Sequence, residues 1–322
     1  MLTDRRSSSG GTLDRPGEAV CVRLLSSLLI KNIKASVPAP QTDARFRNRP
    51  SVPIKMKVMK KKIGVIGCGN MGSVLAEVII SAGLYKVYVS DIRKEKLKKP
   101  VKLGAQPACN IKLAENSDVI ILAVKPDKAG ETLEEIKNFL SPSKTIISIA
   151  AGISTAAIEK SIGEKIPVVR LMPNVNVRVK AGLLPYCTGK YAAGCGKLTE
   201  QIFSPMGIVF KLPEKKFDSV TALSGSGPGF LFYIAENINI ICREKGFTDK
   251  QSRAIAAYLL YGAGKMLVET GLPPEKLKQM VTSPGGTTLA GLNIFKQKNF
   301  PRMLKNVIDS AEKRSRELSR RK

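Results

Sequence analysis

Short apolar runs alternate with helix-compatible stretches from Lys60 to Leu212. The apolar runs predict buried strands at residues 63–66, 86–90, 119–124, 145–149, 168–171 and 208–212. Apolar residues at helical spacing lie between them and predict helices, for example at 72–82, 128–140 and 155–161. Continuous apolar strands that alternate with helices are typical of a parallel sheet covered on both faces. This part of the chain is therefore predicted to be an α/β domain.

After Pro213 the strand pattern ends and helical spacing takes over. The predicted helices lie at residues 217–245, 249–270, 273–281, 285–298 and 301–320. A length of 322 residues favours two domains, since one domain typically contains about 100–200 residues. We therefore predict an α/β domain at 57–213 and an all-α domain at 214–322.

Residues 1–56 differ from the rest because arginine and serine are frequent and apolar periodicity is weak. They are predicted to form a disordered, non-catalytic extension. Two origins stay open, an over-extended translation start and an organelle transit peptide, and Met56 just before the first strand favours the former. No apolar run reaches the roughly 20 residues that cross a membrane. The expected location is the cytoplasm, without membrane contact.

The charge balance suggests an anionic partner. The chain has 53 lysine and arginine residues against 26 aspartate and glutamate residues, a net charge of +27. Such an excess is compatible with nucleic-acid binding. However, the basic residues are spread along the chain, and only 5% of all residues are aromatic. We expect a small anionic ligand and no nucleic-acid partner.

The absence of histidine removes several kinds of chemistry. A chain with 0 histidines has no Ser-His-Asp triad, no Cys-His pair and no His-containing zinc site. The six cysteines include no C-x-x-C pair, so we predict reduced structural thiols and no metal site. The chemistry is then expected to come from other side chains or from an organic cofactor.

Glycines at a fixed spacing follow the first predicted strand and open the first helix. The pattern G-x-G-x-x-G in this position is the dinucleotide fingerprint of the Rossmann fold. Gly67 permits the tight turn, Gly69 lets the backbone approach a pyrophosphate, and Gly72 lets the helix pack close to the strand. Backbone N–H groups at the helix start then bind the phosphates. The predicted phosphate site consists of Gly67, Cys68, Gly69, Asn70, Met71 and Gly72.

Residues at the end of the second strand bear on the type of dinucleotide. Asp91 lies where a carboxylate accepts hydrogen bonds from the adenosine ribose and repels a 2′-phosphate, which favours NADH. Arg93 and Lys94 follow it and offer positive charge to that phosphate, which favours NADPH. The cofactor is therefore predicted to be NADPH or NADH, and both stay open.

The segment Ser283–Thr288, which reads SPGGTT, predicts a second anion site. Ser283 is suited to the N-cap of a helix and Pro284 to its first position. Two glycines in a first helical turn cost about 1 kcal/mol each relative to alanine, and exposed N–H groups that bind a carboxylate would offset this cost. The predicted substrate residues are Ser283, Gly285, Gly286, Thr287 and Thr288.

Seven stretches carry a family resemblance. They read IGVIGCGNMG, SDVIILAVKP, SIAAGIS, RLMPN, VTALSGSGPGF, GAGKMLVETG and VTSPGGTTLAGL. In this order they resemble the pyrroline-5-carboxylate reductases, from about Lys60 to Leu318. The resemblance implies a Rossmann domain joined to an all-α dimerisation domain, and a homodimer or larger homo-oligomer. It also implies reduction of 1-pyrroline-5-carboxylate to L-proline with NAD(P)H.

For the cofactor, the resemblance implies two further groups of residues. The fingerprint glycines are expected to bind the pyrophosphate, and Asn110 is expected near the adenosine ribose. The dinucleotide is expected to be lined, through backbone and packing contacts, by Ala123, Val124, Lys125 and Pro126.

For the substrate, the resemblance implies a carboxylate held by Ser283, Gly285 and Gly286. Thr288 is expected to donate a hydrogen bond to the ring nitrogen, which makes it the predicted catalytic residue. The chain departs from the family pattern MPNTP at residues 172–176, which read MPNVN. This departure is expected to affect the wall near the nicotinamide, and catalytic efficiency more than the type of reaction.

Two alternatives remain at the level of the sequence. The first is a related imine or 3-hydroxy-acid reductase; relatives of that group use a catalytic lysine in the helical domain, where this chain has SPGGTT. The second is a non-catalytic module that binds a dinucleotide or a nucleic acid. In every case the motifs follow Met56, so a chain that starts at Met56 is expected to keep its activity.

Overall fold

The computed structural model describes residues 61–163 and 165–320, and the predicted extension at 1–56 lies outside this part. One sheet of eight strands forms its centre, in the order β3-β2-β1-β4-β5-β6-β7-β8. The strands are β1 Lys62–Ile66, β2 Lys86–Ser90, β3 Gln106–Pro107, β4 Val119–Leu122, β5 Thr145–Ser148, β6 Val168–Leu171, β7 Gly182–Thr188 and β8 Gly207–Lys211. Strands β1 to β6 pair in parallel.

Helices cover both faces of this sheet. They are α1 Asn70–Ser81, α2 Lys98–Lys102, α3 Asn110–Asn116, α4 Ala129–Ile136, α5 Thr155–Ile162 and α6 Cys195–Phe203. Within β4, Val119 and Ile121 belong to the buried cluster around α1 and α6. Ile120 and Leu122 belong to the clusters around α3, α4 and α5. Both sides of a strand are thus buried, which is why the strands are continuously apolar.

The structure confirms the predicted strands within one or two residues at each end. Sequence reasoning missed β3 and β7 and gave no bounds for α2, α3 and α6. Strand β7 runs antiparallel to β6, with Arg170 opposite Cys187, and parallel to β8. The prediction of a parallel sheet is therefore wrong at this edge. Strand β7 contains Pro185, which lacks an N–H group and argues against a strand when only the sequence is read.

The fingerprint glycines allow close contacts between β1, α1 and β4. Gly67 has a φ of 94°, and a Cβ atom there would lie 2.7 Å from the carbonyl oxygen of Ala123. A Cβ atom on Gly72 would lie 1.9 Å from the carbonyl oxygen of Gly67. No side chain fits at either position without moving backbone, so the first turn of α1 rests directly on the ends of β1 and β4.

A half-buried ion pair attaches the first residues after the sheet to β6. Arg170 Nη1 lies 3.2 Å from Glu214 Oε1, and the guanidinium lies 4.7 Å over the ring of Phe217. The Glu214 carboxylate also accepts hydrogen bonds from the backbone N–H and the hydroxyl of Thr155, at 2.9 and 2.7 Å. Because Arg170 is almost fully buried, this carboxylate is the partner that makes its burial tolerable.

All described elements after Lys211 are helical. They are α7 Phe217–Val220, a π-helical turn Thr221–Gly225, α8 Gly227–Glu244, α9 Asp249–Thr270, α10 Pro274–Met280, α11 Thr287–Gln297 and α12 Phe300–Arg320. The predicted helical stretch at 217–245 is interrupted by the π-helical turn, after which α8 restarts with Pro228 in its first turn. None of the helices in the described ranges is long and apolar enough to span a membrane.

Contacts divide the described residues into two units. The larger comprises 61–260 and 284–320, and the smaller comprises 261–283. Within the smaller unit, Lys265 Nζ lies 3.6 Å from Glu269 Oε1 and 5.9 Å from the ring centre of Tyr261. Within the larger unit, Ser315 of α12 donates a hydrogen bond to Asp218 at 2.8 Å, which ties the last helix to α7.

The contact at Gly72 predicts a large effect on stability. We expect Gly72→Ala to lower the free energy of unfolding by about 2–3 kcal/mol, since overpacking typically costs about 1–3 kcal/mol and the obstacle here is backbone. Gly130→Ala in α4 is the matched control, because a Cβ there meets nothing within 4 Å; a gain of about 0.5–1 kcal/mol is expected. Urea unfolding of both variants measures the difference, and wild-type stability in Gly72→Ala would contradict the assigned packing.

Candidate active site

The glycine turn after β1 is held in place from the neighbouring strand β2. The N–H of Gly67 donates to the carbonyl oxygen of Ser90 at 2.8 Å. The N–H of Cys68 donates to Asp91 Oδ2 at 2.8 Å. On the other side, the Ser73 hydroxyl donates to the carbonyl oxygen of Cys68 at 2.7 Å. The turn therefore has a fixed shape before any ligand binds.

The N-terminus of α1 is free to bind an anion. Its N-cap is Gly69, which provides no side-chain hydrogen bond, and the first turn contains no acidic residue. A Cβ atom on Gly69 would meet nothing within 4 Å, so this side of the turn is open. By contrast, α5 is capped by the Ser154 hydroxyl, which accepts from the N–H of Ala157. Uncapped N–H groups that face an open space fit the pyrophosphate of a dinucleotide.

The Asp91 carboxylate accepts hydrogen bonds from backbone N–H groups at this site. Besides Cys68, its carboxylate accepts the N–H of Arg93 at Oδ1, at 2.8 Å. Its side chain is only 7% exposed, and Arg93 Nε lies 3.9 Å from Oδ1. Both carboxylate oxygens are thus already bonded to N–H groups. The structure assigns Asp91 a positioning role at the glycine turn, while its predicted contact with the ribose stays a prediction.

A cavity of about 680 Å³ lies beside Asp91, where the adenosine half of a dinucleotide is expected. Asn110 lines it and is fixed from two sides. The Ser90 hydroxyl donates to Asn110 Oδ1 at 2.7 Å, and Asn110 Nδ2 donates to Glu135 at 2.6 Å. Lys94 and Lys98 also line this cavity. Lys98 and Glu135, which line the cavity as well, belong to no local sequence motif and could not be found from the sequence.

The segment after β4 lies directly against the glycine turn. The N–H of Ala123 donates to the carbonyl oxygen of Ile66 at 2.8 Å, and Ala123 is the residue against which both Gly67 and Gly72 pack. Beyond it, Val124 is half-buried and Lys125 is exposed before a 3-10 turn that begins at Pro126. The structure therefore brings Ala123 to the fingerprint, as the parallel arrangement of β1 and β4 requires.

Cys68 lies inside the fingerprint but is chemically inert. The side chain is fully buried. Burial, and to a smaller extent the negative charge of Asp91, raises the pKa of the Cys68 thiol to about 12. The thiol is therefore protonated at neutral pH and does not act as a nucleophile.

The segment Ser283–Thr288 differs from its predicted form. Gly285 has a φ of 69°, which a helix cannot contain, and α11 begins at Thr287 with Gly286 as its N-cap. The prediction that Ser283 caps the helix is thus wrong, and both glycines precede the helix. No side-chain cap is present at Gly286, so the free N–H donors belong to the first turn of α11.

Thr287 and Thr288 are exposed in that first turn. Across residues 61–163 and 165–320, no hydrogen bond or ion pair joins them to the fingerprint. The structure therefore presents the predicted substrate segment and the predicted cofactor segment as two helix starts without a side-chain cap. Their predicted roles stay predictions.

The departure from the family pattern lies at the end of β6. The Asn174 side chain is buried; its Nδ2 donates to the carbonyl oxygen of Ser224 at 3.1 Å, and its Oδ1 accepts the N–H of Leu183 at 3.2 Å. Val175 is exposed and begins a 3-10 helix, Val175–Val179. The buried asparagine thus links the sheet edge to the π-helical turn, and the substituted Val175 faces outward.

Comparisons with known proteins agree with this geometry. Residues 214–318 match a family model described as pyrroline-5-carboxylate reductase dimerisation, and residues 62–152 match one described as NADP oxidoreductase, coenzyme F420-dependent. A pyrroline-5-carboxylate reductase from Methanosarcina acetivorans is 37% identical over 81% of this chain and 99% of its own length. One named pyrroline-5-carboxylate reductase 1 from Bacillus subtilis is 36% identical over 81% of this chain and 90% of its own length.

Solved structures give the same result. A pyrroline-5-carboxylate reductase from Coxiella burnetii has a TM-score of 0.76 and 32% identity, over 81% of this chain and 99% of its own. A pyrroline carboxylate reductase from Plasmodium falciparum, solved with NADP bound, has a TM-score of 0.73 and 30% identity, over 80% of this chain and 98% of its own. The glycine turn after β1 and the helical C-terminal region agree with these relatives. Their identity and coverage show that the chain belongs to the pyrroline-5-carboxylate reductase family.

Proposed function

We propose that this chain reduces the C=N bond of 1-pyrroline-5-carboxylate with NAD(P)H and forms L-proline. A hydride adds to the imine carbon, the electron pair of the C=N bond moves to the ring nitrogen, and that nitrogen takes up a proton from solvent. The observation that carries the proposal is the pair of helix starts with an extended glycine as N-cap, α1 at Gly69 and α11 at Gly286. One suits a dinucleotide pyrophosphate and the other a substrate carboxylate.

The substrate site is proposed to be the start of α11. Gly285, with its positive φ, turns the backbone so that Gly286 becomes the N-cap. The N–H groups of the first turn, beginning at Thr287, then bind the carboxylate, and Ser283 flanks this turn. The Thr288 hydroxyl donates a hydrogen bond to the ring nitrogen. These groups orient the ring and need no charged side chain.

This assignment explains how a chain without histidine performs the reaction. The bound nicotinamide supplies the hydride. The hydrogen bond from the Thr288 hydroxyl to the ring nitrogen makes the imine carbon more electrophilic, and the protein otherwise contributes by holding the ring in position. The thiol of Cys68, inside the fingerprint, is protonated and takes no part. Catalysis is then assigned to positioning by the two helix starts together with the hydrogen bond from Thr288.

The cations around the adenosine cavity favour NADPH over NADH. Lys94 and Lys98 line the cavity, and Arg93 lies beside Asp91. The Asp91 carboxylate, the expected source of repulsion, is engaged with the N–H groups of Cys68 and Arg93. The positive charges of these side chains therefore exceed the negative charge of Asp91 where the ribose 2′-hydroxyl is expected. We propose that a 2′-phosphate is bound by these cations.

The helical region is proposed to form a homodimer, with domains at 57–213 and 214–322. In α8, Leu231, Ile234 and Ile241 are 51%, 40% and 48% exposed. Their spacing of three and seven residues places them on one side of the helix. Helix α8 lies in the region that matches the dimerisation family model. An exposed apolar stripe on such a helix supports its burial against a second copy of the chain. A larger homo-oligomer would use further surfaces.

The proposed location is the cytoplasm, and no nucleic-acid partner is proposed. Cysteines 68, 109, 187, 195 and 242 are all free thiols. Unpaired cysteines are typical of a reducing compartment. The spread of basic residues is assigned to solvated surface and to the anionic cofactor and substrate.

The cofactor preference predicts that removing the cavity lysines weakens the binding of NADPH but not of NADH. Lys94→Gln combined with Lys98→Gln is expected to raise the KM for NADPH about tenfold or more, since charge-assisted hydrogen bonds to phosphate are worth about 1.5–3 kcal/mol. The KM for NADH should stay the same. Lys102→Gln is the control, because Lys102 is exposed on α2 and does not line the cavity. Equal effects on both cofactors would contradict the assignment of these lysines to the 2′-phosphate.

The dimer predicts a change of mass. Ile234→Asp combined with Ile241→Asp is expected to convert the dimer into a monomer, because a carboxylate buried in an apolar interface is strongly destabilising. Light scattering after size-exclusion chromatography measures the mass. Lys245→Asp, at the exposed end of the same helix, should leave it unchanged. A wild-type chain that is monomeric at micromolar concentration would contradict the proposed dimer.

The substrate loop predicts two different kinetic effects. Thr288→Ala is expected to lower kcat/KM about tenfold or more with unchanged cofactor affinity, because it removes one hydrogen bond to the reacting nitrogen. Gly286→Val is expected to raise the KM for the imine, because its side chain would obstruct the carboxylate. Oxidation of NADH and of NADPH, measured separately with 1-pyrroline-5-carboxylate, tests both variants and the wild type.

The contrast between these variants is decisive. If Thr288→Ala is fully active and Gly286→Val binds substrate normally, the segment is only a helix start. If the wild type oxidises neither cofactor with this imine, the proposed reaction itself is wrong.

A further inference from the structure

We propose that Arg178 is a further cofactor-binding residue that contacts the pyrophosphate of the dinucleotide, an inference that rests on the proposed function. Arg178 lies on the 3-10 helix Val175–Val179. Its Nη2 donates a hydrogen bond to the carbonyl oxygen of Asn70 at 3.2 Å. Asn70 is the first residue of α1 and belongs to the fingerprint. The guanidinium therefore lies beside the turn whose N–H groups are the phosphate donors.

The segment that carries Arg178 is firmly anchored. Val177, its neighbour, is fully buried in the same core cluster as the apolar residues of α1. Asn174 at the start of the 3-10 helix is buried and makes two hydrogen bonds to other elements. Lys180, with a φ of 59°, ends the helix. The backbone of Arg178 is thus held in place relative to α1, which lets the side chain act as a fixed contact.

The charge of Arg178 is available to a ligand. The residue is exposed, and within the described ranges no carboxylate lies within ion-pair distance of it. The first turn of α1 contains no acidic residue that would compete for the guanidinium. A guanidinium has five N–H donors, and the bond to Asn70 uses one. The remaining donors suit phosphate oxygens, which arginine binds through its planar fork.

This role differs from that of the lysines at the adenosine cavity. Lys94 and Lys98 are proposed to bind the 2′-phosphate, which only NADPH carries. The pyrophosphate is common to NADPH and NADH. Loss of the Arg178 charge is therefore expected to weaken both cofactors by the same factor and to leave their ratio unchanged.

The test compares Arg178→Gln with Lys180→Gln in the full chain. Glutamine retains an N–H donor for Asn70 but has no charge, and Lys180→Gln removes the same charge two residues away. Calorimetric titration with NADPH and with NADH, each in the absence of substrate, gives the dissociation constants. Arg178→Gln is expected to raise both about tenfold, with a weaker dependence on salt. Lys180→Gln should have the dissociation constants of the wild type. Both variants should also have the melting temperature of the wild type in the absence of cofactor.

Three results would overturn the inference. Unchanged affinity in Arg178→Gln would mean that the guanidinium only ties the 3-10 helix to α1. A loss for NADPH alone would place Arg178 at the 2′-phosphate. A fall in the melting temperature of the unliganded variant without a change in affinity would make its role structural. A wild-type chain that binds neither cofactor would instead refute the proposed function, so the two failures are distinguishable.

Discussion

The contact between Gly72 and Gly67 is the constraint on which the rest of the site depends. Because a Cβ atom on Gly72 would lie 1.9 Å from the carbonyl oxygen of Gly67, only glycine lets α1 start directly above the end of β1. This approach brings the N–H groups of the first helical turn to the carboxyl edge of the sheet. It also brings them beside Ala123 at the end of β4. In the proposed function, this edge binds the phosphates of the dinucleotide because of that packing.

The groups that shape the glycine turn also line the cavity beside Asp91. Asp91 bonds to the N–H of Cys68, and Ser90 bonds both to the N–H of Gly67 and to the side chain of Asn110. The shape of the turn and the wall of the adenosine cavity are therefore one hydrogen-bonded unit. Such an arrangement lowers the entropic cost of binding, because the contacting groups are already in place.

In the proposed function, the chemistry is distributed between two helix starts rather than concentrated in a charged side chain. The α1 and α11 termini both lack a side-chain cap, at Gly69 and Gly286. Neutral N–H donors suit an anionic cofactor and an anionic substrate without the desolvation cost of buried cations. Arg178 adds a full charge at one of these starts and remains exposed, so that its charge is solvated until a phosphate binds.

The sequence by itself determined the features that depend on local patterns. These are the buried strands of the parallel sheet, the glycine turn and the helical region after Pro213. Only the tertiary structure decided features that depend on distant partners: strand β7, which contains Pro185, the engagement of Asp91 by backbone N–H groups, and the start of α11 at Thr287. Arg178 is the clearest case, because its bond to Asn70 joins residues 108 positions apart. No local propensity encodes such a contact; packing of the 3-10 helix against α1 creates it.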